Sequence, residues 1–86
     1  LMVIWGSNPI VSNLHFWTRC QEAKRRGAKL ICIDPWRNAT AQKCHQWIGI
    51  RPGTDAAFAL AVMHVLVAEQ RYDTEYVARD TLGFDD

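Results

Sequence analysis

An α/β fold built on a small parallel sheet is predicted from three features of the 86-residue sequence. Two short apolar runs, Met2 to Trp5 and Leu30 to Ile33, each stop at a turn-forming pair or triplet. A segment with helical spacing lies between them, which makes a strand–helix–strand unit of ordinary length. The second run ends at Asp34-Pro35, and proline cannot continue a sheet ladder because it lacks an N–H. Together these describe a Rossmann-like parallel sheet of about three strands with flanking helices, and the crossover between its first two strands is right-handed by rule.

The first strand, Met2 to Trp5, is rich in the β-branched and aromatic residues that suit a pleated, packed surface. Gly6-Ser7-Asn8-Pro9 terminates it, and Gly6 permits a turn or a close ligand approach that a side chain would block. Ser12 is the predicted N-cap of the next helix. Phe16, Trp17, Cys20 and Ala23 then fall on its inner face, and Arg19, Glu22, Arg25 and Arg26 away from it. Gly27 supplies the helix stop.

After Asp34, residues Asn38 to Lys43 are predicted to form one or two helical turns, and Cys44 to Ile50 a third, shorter strand weakened by Gly49. Thr54 is placed to cap the following helix, with Asp55 in its first turn, where the helix dipole favours a carboxylate. That helix, Asp55 to about Gln70, is apolar almost all round, so it is expected to be covered on more than one side. A chain this short buries only a modest core. The sequence opens directly on an apolar strand and closes without an evident terminal element, so it reads as one truncated domain from a larger multidomain protein. Asp73 is placed to cap a last short helix, Thr74 to Arg79, ahead of Gly83.

Composition narrows the functions. Hydrophobic residues make up 49% of the chain, which argues against disorder. Residues 1–51 carry eight Lys/Arg and two acids, whereas residues 52–86 carry two Lys/Arg and seven acids. An anionic ligand belongs with the basic part, although Lys24, Arg25, Arg26 and Lys29 are explained by the negative dipole end of their helix. Cys20, Cys32 and Cys44 have neither disulfide-framework nor zinc spacing; free buried thiols are expected, and they favour a reducing compartment such as the cytoplasm. No local base accompanies a nucleophile, and G-x-x-x-x-G-K-[ST] and G-x-G-x-x-G are both missing. Ala56 to Ala68 is too short to span a bilayer. No catalytic residue, metal ligand or nucleic-acid surface is assigned.

A binding site is better supported. The three proposed strands end at Gly6-Ser7-Asn8, Asp34-Pro35-Trp36-Arg37 and Gly53-Thr54-Asp55. In a parallel sheet these ends share one edge, where ligands of open α/β folds bind. Their convergence is expected to place the first strand in the middle of the sheet. Amides near Gly6 can approach a pyrophosphate. Asn8 offers a donor and an acceptor, Asp34 can accept from ribose hydroxyls, and Asp55 can accept from the paired donors of guanine. Each has a plainer role alone: Asn8 as a turn residue, Asp34 as a strand stop, Asp55 as a first-turn acid. Their recurrence at three strand ends favours a nucleotide-like ligand.

Trp5-Gly6-Ser7-Asn8-Pro9, Ile33-Asp34-Pro35 with Thr40-Ala41, and Arg51-Pro52-Gly53-Thr54-Asp55-Ala56-Ala57 strongly resemble the molybdopterin oxidoreductases of the dimethyl sulfoxide reductase type. The tail, Tyr76-Val77-Ala78-Arg79 followed by Gly83-Phe84-Asp85, is similar to that family too. The resemblance implies part of a catalytic subunit that holds one guanosine end of a bis(molybdopterin guanine dinucleotide) cofactor with molybdenum. It implies that Gly6, Ser7, Asn8, Asp34, Pro35, Gly53, Thr54 and Asp55 line this cofactor. Trp36 stands where the family commonly has Arg, and Asn38 where it commonly has Thr. Trp36 can stack on a base or close the pocket, but the family's Arg–phosphate contact is lost unless Arg37 substitutes for it. The metal ligand and the cysteines of a 4Fe–4S cluster lie upstream in the family and match none of the three cysteines here. The parent is thus expected to move two electrons, often by oxygen-atom transfer. Its expected partners are the remaining domains of its subunit and electron-transfer subunits, in cytoplasm or periplasm. Two alternatives stand beside this reading: a non-catalytic module like the large iron–sulfur subunit of respiratory complex I, disfavoured by the Gly-Thr-Asp turn, and a nicotinamide-binding domain, disfavoured by the missing glycines.

Overall fold

A computed structural model describes residues 1–84; Asp85, the end of the Gly83-Phe84-Asp85 match, and Asp86 lie outside the described residues. The chain forms two compact units, Leu1–Pro52 and a second beginning at Gly53.

The first unit is α/β. It runs β1 (Met2–Trp5), α1 (Pro9–Ser12), α2 (Leu14–Arg25), β2 (Leu30–Ile33), α3 (Ala39–Lys43) and β3 (Gln46–Ile48). The three strands are parallel, in the order β1-β2-β3. The expectation that β1 lies in the middle is therefore corrected: β2 does. Burial follows this order: Leu30, Cys32 and Ile33 are all buried, whereas Val3 and Trp5 of β1 and Trp47 of β3 are partly open to solvent. Both β1 and β2 are apolar at every position, so composition does not rank them; β2 is the strand with a parallel neighbour on each side.

In register, Met2 pairs with Leu30, Ile4 with Cys32, and Trp5 with Ile33. Alternation puts Met2, Ile4, Leu30 and Cys32 on one face. Ile4 and Leu30 there join Cys20 of α2 in the core, with Met2, Trp17, Ala28 and Cys44 packed against it. The inner face of α2 thus centres on Trp17 and Cys20. Phe16, expected to share that face, sits at its margin and is exposed. On the outer face Glu22 accepts from Arg19 at 3.1 Å and from Arg26 at 2.6 Å, while Lys24 Nζ donates to the Lys43 carbonyl at 2.8 Å.

Two local expectations change. Pro9 starts a helical turn straight after Asn8, because a missing N–H costs nothing at a first helical position. Ser12 is therefore already inside α1, its hydroxyl donating to the Asn8 carbonyl, and Asn13 caps α2 by accepting from Phe16 N–H at 3.2 Å. The third strand is confined to Gln46–Ile48. At its start His45 clasps Leu30 from both sides: its N–H donates to the Leu30 carbonyl at 2.9 Å, and its Nδ1 accepts from Leu30 N–H at 3.0 Å.

The second unit contains α4 (Asp55–Ala68) and α5 (Thr74–Asp80). Thr54 occupies the N-cap position of α4, but its side chain makes no capping hydrogen bond, because its backbone (φ −107°, ψ 11°) is outside the extended region that caps adopt. Asp73 does cap α5, accepting from Tyr76 N–H at 2.9 Å. No residue of α4 is buried, and Leu60, Val62, Met63, Val65, Leu66 and Val67 are all exposed. Among the described residues no helix is long and apolar enough to cross a membrane.

Candidate functional site at the carboxyl edge of the sheet

Parallel pairing brings the first two candidate loops side by side. Gly6 N–H donates to the Ile33 carbonyl at 2.9 Å, and Asp34 N–H to the Ile48 carbonyl at 3.2 Å. The chain thus leaves β1 and β2 at one level, and Gly6 and Asp34 flank the same edge. Gly6 turns there at φ +59°, a left-handed conformation that side chains disfavour, and the space where a Cβ would sit is open to 4 Å. The N–H groups of Ser7 and Asn8 have no acceptor among the described residues.

Asp34 is half-buried and already ordered by its own loop. Its Oδ1 accepts from Trp36 N–H at 2.9 Å, and Asn38 Nδ2 donates to its Oδ2 at 3.5 Å. Each carboxylate oxygen has a second lone pair, so the group can still accept from a ligand. Pro35 and Trp36 are exposed, Trp36 by 73%.

Three residues with no assigned role prove to build this edge. Asn38 is 4% exposed and caps α3, its Oδ1 accepting from Ala41 N–H at 2.8 Å. Thr40 is fully buried; its hydroxyl donates to Asn8 Oδ1 at 2.7 Å and accepts from Ile10 N–H at 3.3 Å. Trp47 Nε1 donates to the Asp34 carbonyl at 2.8 Å. The loop after β1 is thus tied to α3, and the loop after β2 to β3. Only the Asn38 cap has a local sequence signal, a polar residue just ahead of a helical turn; Asn8–Thr40 is a contact across 32 positions.

Gly53, Thr54 and Asp55 open the second unit, with Gly53 at φ +80° and Asp55 in the first turn of α4. Among the described residues no three His, Cys, Asp or Glu side chains are grouped to hold a metal ion. The free cysteines are not exposed: Cys20 and Cys32 are buried and Cys44 half-buried. Burial, with smaller contributions from Cys44 and Asp34, pushes the Cys32 thiol up to about 11.

An open parallel sheet whose adjoining strand-end loops carry a left-handed glycine, donors and an acid belongs to the α/β class that binds ligands at its carboxyl edge. The sequence comparisons refine this. A family model described as molybdopterin oxidoreductase matches residues 1–78. The chain is 37% identical over its whole length to a probable oxidoreductase, YoaE, of Bacillus subtilis. It is 36% identical, over 93% of its length, to the perchlorate reductase alpha subunit of Dechloromonas aromatica. It is 38% identical, again over its whole length, to the dimethyl sulfoxide reductase DmsA of Haemophilus influenzae. The chain belongs to the molybdopterin oxidoreductase family. It spans only 13%, 9% and 11% of the lengths of these three relatives.

The chemistry of this edge is compatible with a molybdopterin cofactor. Open space at a left-handed glycine suits close approach of an anionic group, amide donors suit phosphate oxygens, and a half-buried carboxylate suits hydroxyl donors.

Proposed function

We propose that this chain is the part of a molybdenum-dependent oxidoreductase that binds the guanosine end of a molybdopterin guanine dinucleotide, one of two in a bis form. The observation that carries the reading is the pairing of Gly6, left-handed with open space around it, and Asp34 at one sheet edge. When bound, the cofactor supplies the metal centre for two-electron redox or oxygen-atom transfer. This chain's residues bind and orient. Ser7 and Asn8 donate to phosphate oxygens, Asp34 and Pro35 border the ribose, and Trp36 offers an exposed ring face for stacking. Gly53 and Thr54 form the turn that presents Asp55 to the guanine. Electron-transfer subunits and a 4Fe–4S cluster belong to this proposal for the parent protein, and the cluster finds no ligand set in the described residues.

The test substitutes Gly6→Val in the full-length protein, with Gly27→Val as control. Both glycines have positive φ, +59° and +92°, and both have open space around them. Backbone strain of about 1–2 kcal/mol is common to the two variants, but Gly27 follows α2 at the opposite end of β2. Molybdenum and guanine nucleotide per polypeptide should fall well below wild type in Gly6→Val alone. Equal retention in the two variants would refute the reading.

A further inference from the structure

We propose that Thr40 is a positioning residue: it turns the Asn8 carboxamide so that Asn8 presents N–H donors, and no acceptor, to the ligand at the sheet edge. The inference rests on the reading of that edge as a cofactor site.

The argument is one of hydrogen-bond satisfaction. A hydroxyl has one proton and two lone pairs. The Thr40 hydroxyl is fully buried, and one lone pair receives Ile10 N–H at 3.3 Å. Its proton needs an acceptor, because a buried donor left unpaired is costly. Asn8 Oδ1, at 2.7 Å, is that acceptor. With the carboxamide turned the other way, Asn8 Nδ2 would face the hydroxyl; the second lone pair could accept that N–H, but the buried Thr40 proton would lose its partner. The orientation of Asn8 is therefore set from behind, by a residue 32 positions away on α3.

The consequence is on the open side. Asn8 Nδ2 has no partner among the described residues, yet no side-chain nitrogen or oxygen is both buried and unpaired, so this nitrogen reaches solvent. It stands with the Ser7 and Asn8 amides on a loop that begins at the left-handed Gly6. The Asn8 side chain and the Ser7 and Asn8 amides thus form a set of donors on this loop, beside the Gly6 and Ser7 carbonyls. On its open side the Asn8 carboxamide suits an acceptor-only group, a phosphate oxygen.

Three substitutions at two positions of the full-length protein separate orientation from folding. Asn8→Asp keeps an oxygen to accept from Thr40 and remains a favoured N-cap for α1, but replaces the outward donor with a carboxylate. Thr40→Val keeps shape and removes the hydroxyl, while Thr40→Ser restores it. The melting temperature of cofactor-free Asn8→Asp should match wild type, whereas its molybdenum and guanine nucleotide per polypeptide should fall at least about tenfold. Thr40→Val should lose cofactor as well, and Thr40→Ser should recover most of it. Full cofactor in Asn8→Asp, or equal loss in Thr40→Val and Thr40→Ser, overturns the inference. If Gly6→Val nevertheless empties the protein, the cofactor site stands and only the role of Thr40 is lost. If Gly6→Val and Asn8→Asp are both fully loaded, the site itself is elsewhere.

Discussion

Gly49→Ala should destabilise the protein when Trp47 is present and stabilise it when Trp47 is replaced by leucine. A methyl group at Gly49 would lie 2.8 Å from Trp47 Cζ2 and 3.0 Å from Cη2, where ordinary contact begins near 3.4 Å. The indole must therefore shift by at least about 0.6 Å to escape the repulsion. Its Nε1 donates to the Asp34 carbonyl at 2.8 Å, and a shift of that size stretches the bond towards its outer limit, at a cost of about 1 kcal/mol. Crowding adds about 1 kcal/mol, the low end of the range for overpacking, since Trp47 is 38% exposed and can yield towards solvent. Against this, Gly49 is not among the positive-φ glycines, so alanine gains roughly 0.4–1 kcal/mol by restricting the unfolded chain. The net expectation is a loss of about 1–1.5 kcal/mol. Without the indole only the gain remains, so the coupling between the sites is about 2 kcal/mol. Thermal-shift measurements on the two single mutants and the double mutant of the full-length protein give the sign of each effect. A Gly49→Ala shift of the same sign and size in both backgrounds would refute the contact argument.

Further expectations concern titration and the second unit. Because burial both shields the Cys32 thiol and raises its pKa to about 11, its alkylation at pH 8 should be at least about 100-fold slower in the native protein than in urea. The folded form holds this proton where the unfolded form has lost it, so the associated stability is complete below pH 9 and disappears as pH rises through 11; peptide mapping after alkylation across this range reads the difference, and matching native and denatured profiles would contradict it. Asp55→Asn should cost about 0.3–1 kcal/mol through the helix dipole, and it should lower the guanine nucleotide content of the full-length protein if its carboxylate receives the paired donors of guanine; full content with unchanged turnover would remove the guanine role.

What could be read from the sequence was what is local. Leu30-Ile-Cys-Ile followed by Asp-Pro announces a buried strand and its end, and β2 runs from Leu30 to Ile33. Asp73 announces a cap and provides one. Strand order was not local. Both β1 and β2 are apolar at every position, so composition could not rank them, and a rule about loops meeting put β1 where β2 belongs. Ser12 and Asn13 are both competent caps, and the choice between them was made by Pro9 starting its turn three residues earlier. The candidate loops could be placed at strand ends because turn residues mark them. Their fastening could not, since Thr40 reaches Asn8 across 32 positions and Trp47 reaches Asp34 across 13. A threonine in a short helix and a tryptophan in a strand carry no sign of a distant partner.

The exposed apolar surface of α4 has a consequence for anyone altering this protein. An ordinary amphipathic helix such as α2 offers a stripe of permissive positions; Arg19, Glu22 and Arg26 bond to one another and little else, and changes there are nearly silent. From Ala56 to Ala68, α4 has no Lys, Arg, Asp or Glu, and His64 is its one ionisable side chain. With apolar groups all round, it lacks the polar stripe along which sequence can drift without penalty. Fluorophores, solubilising lysines and affinity handles therefore belong on α2, whose outward positions are already charged and exposed, rather than on the uncharged run of α4.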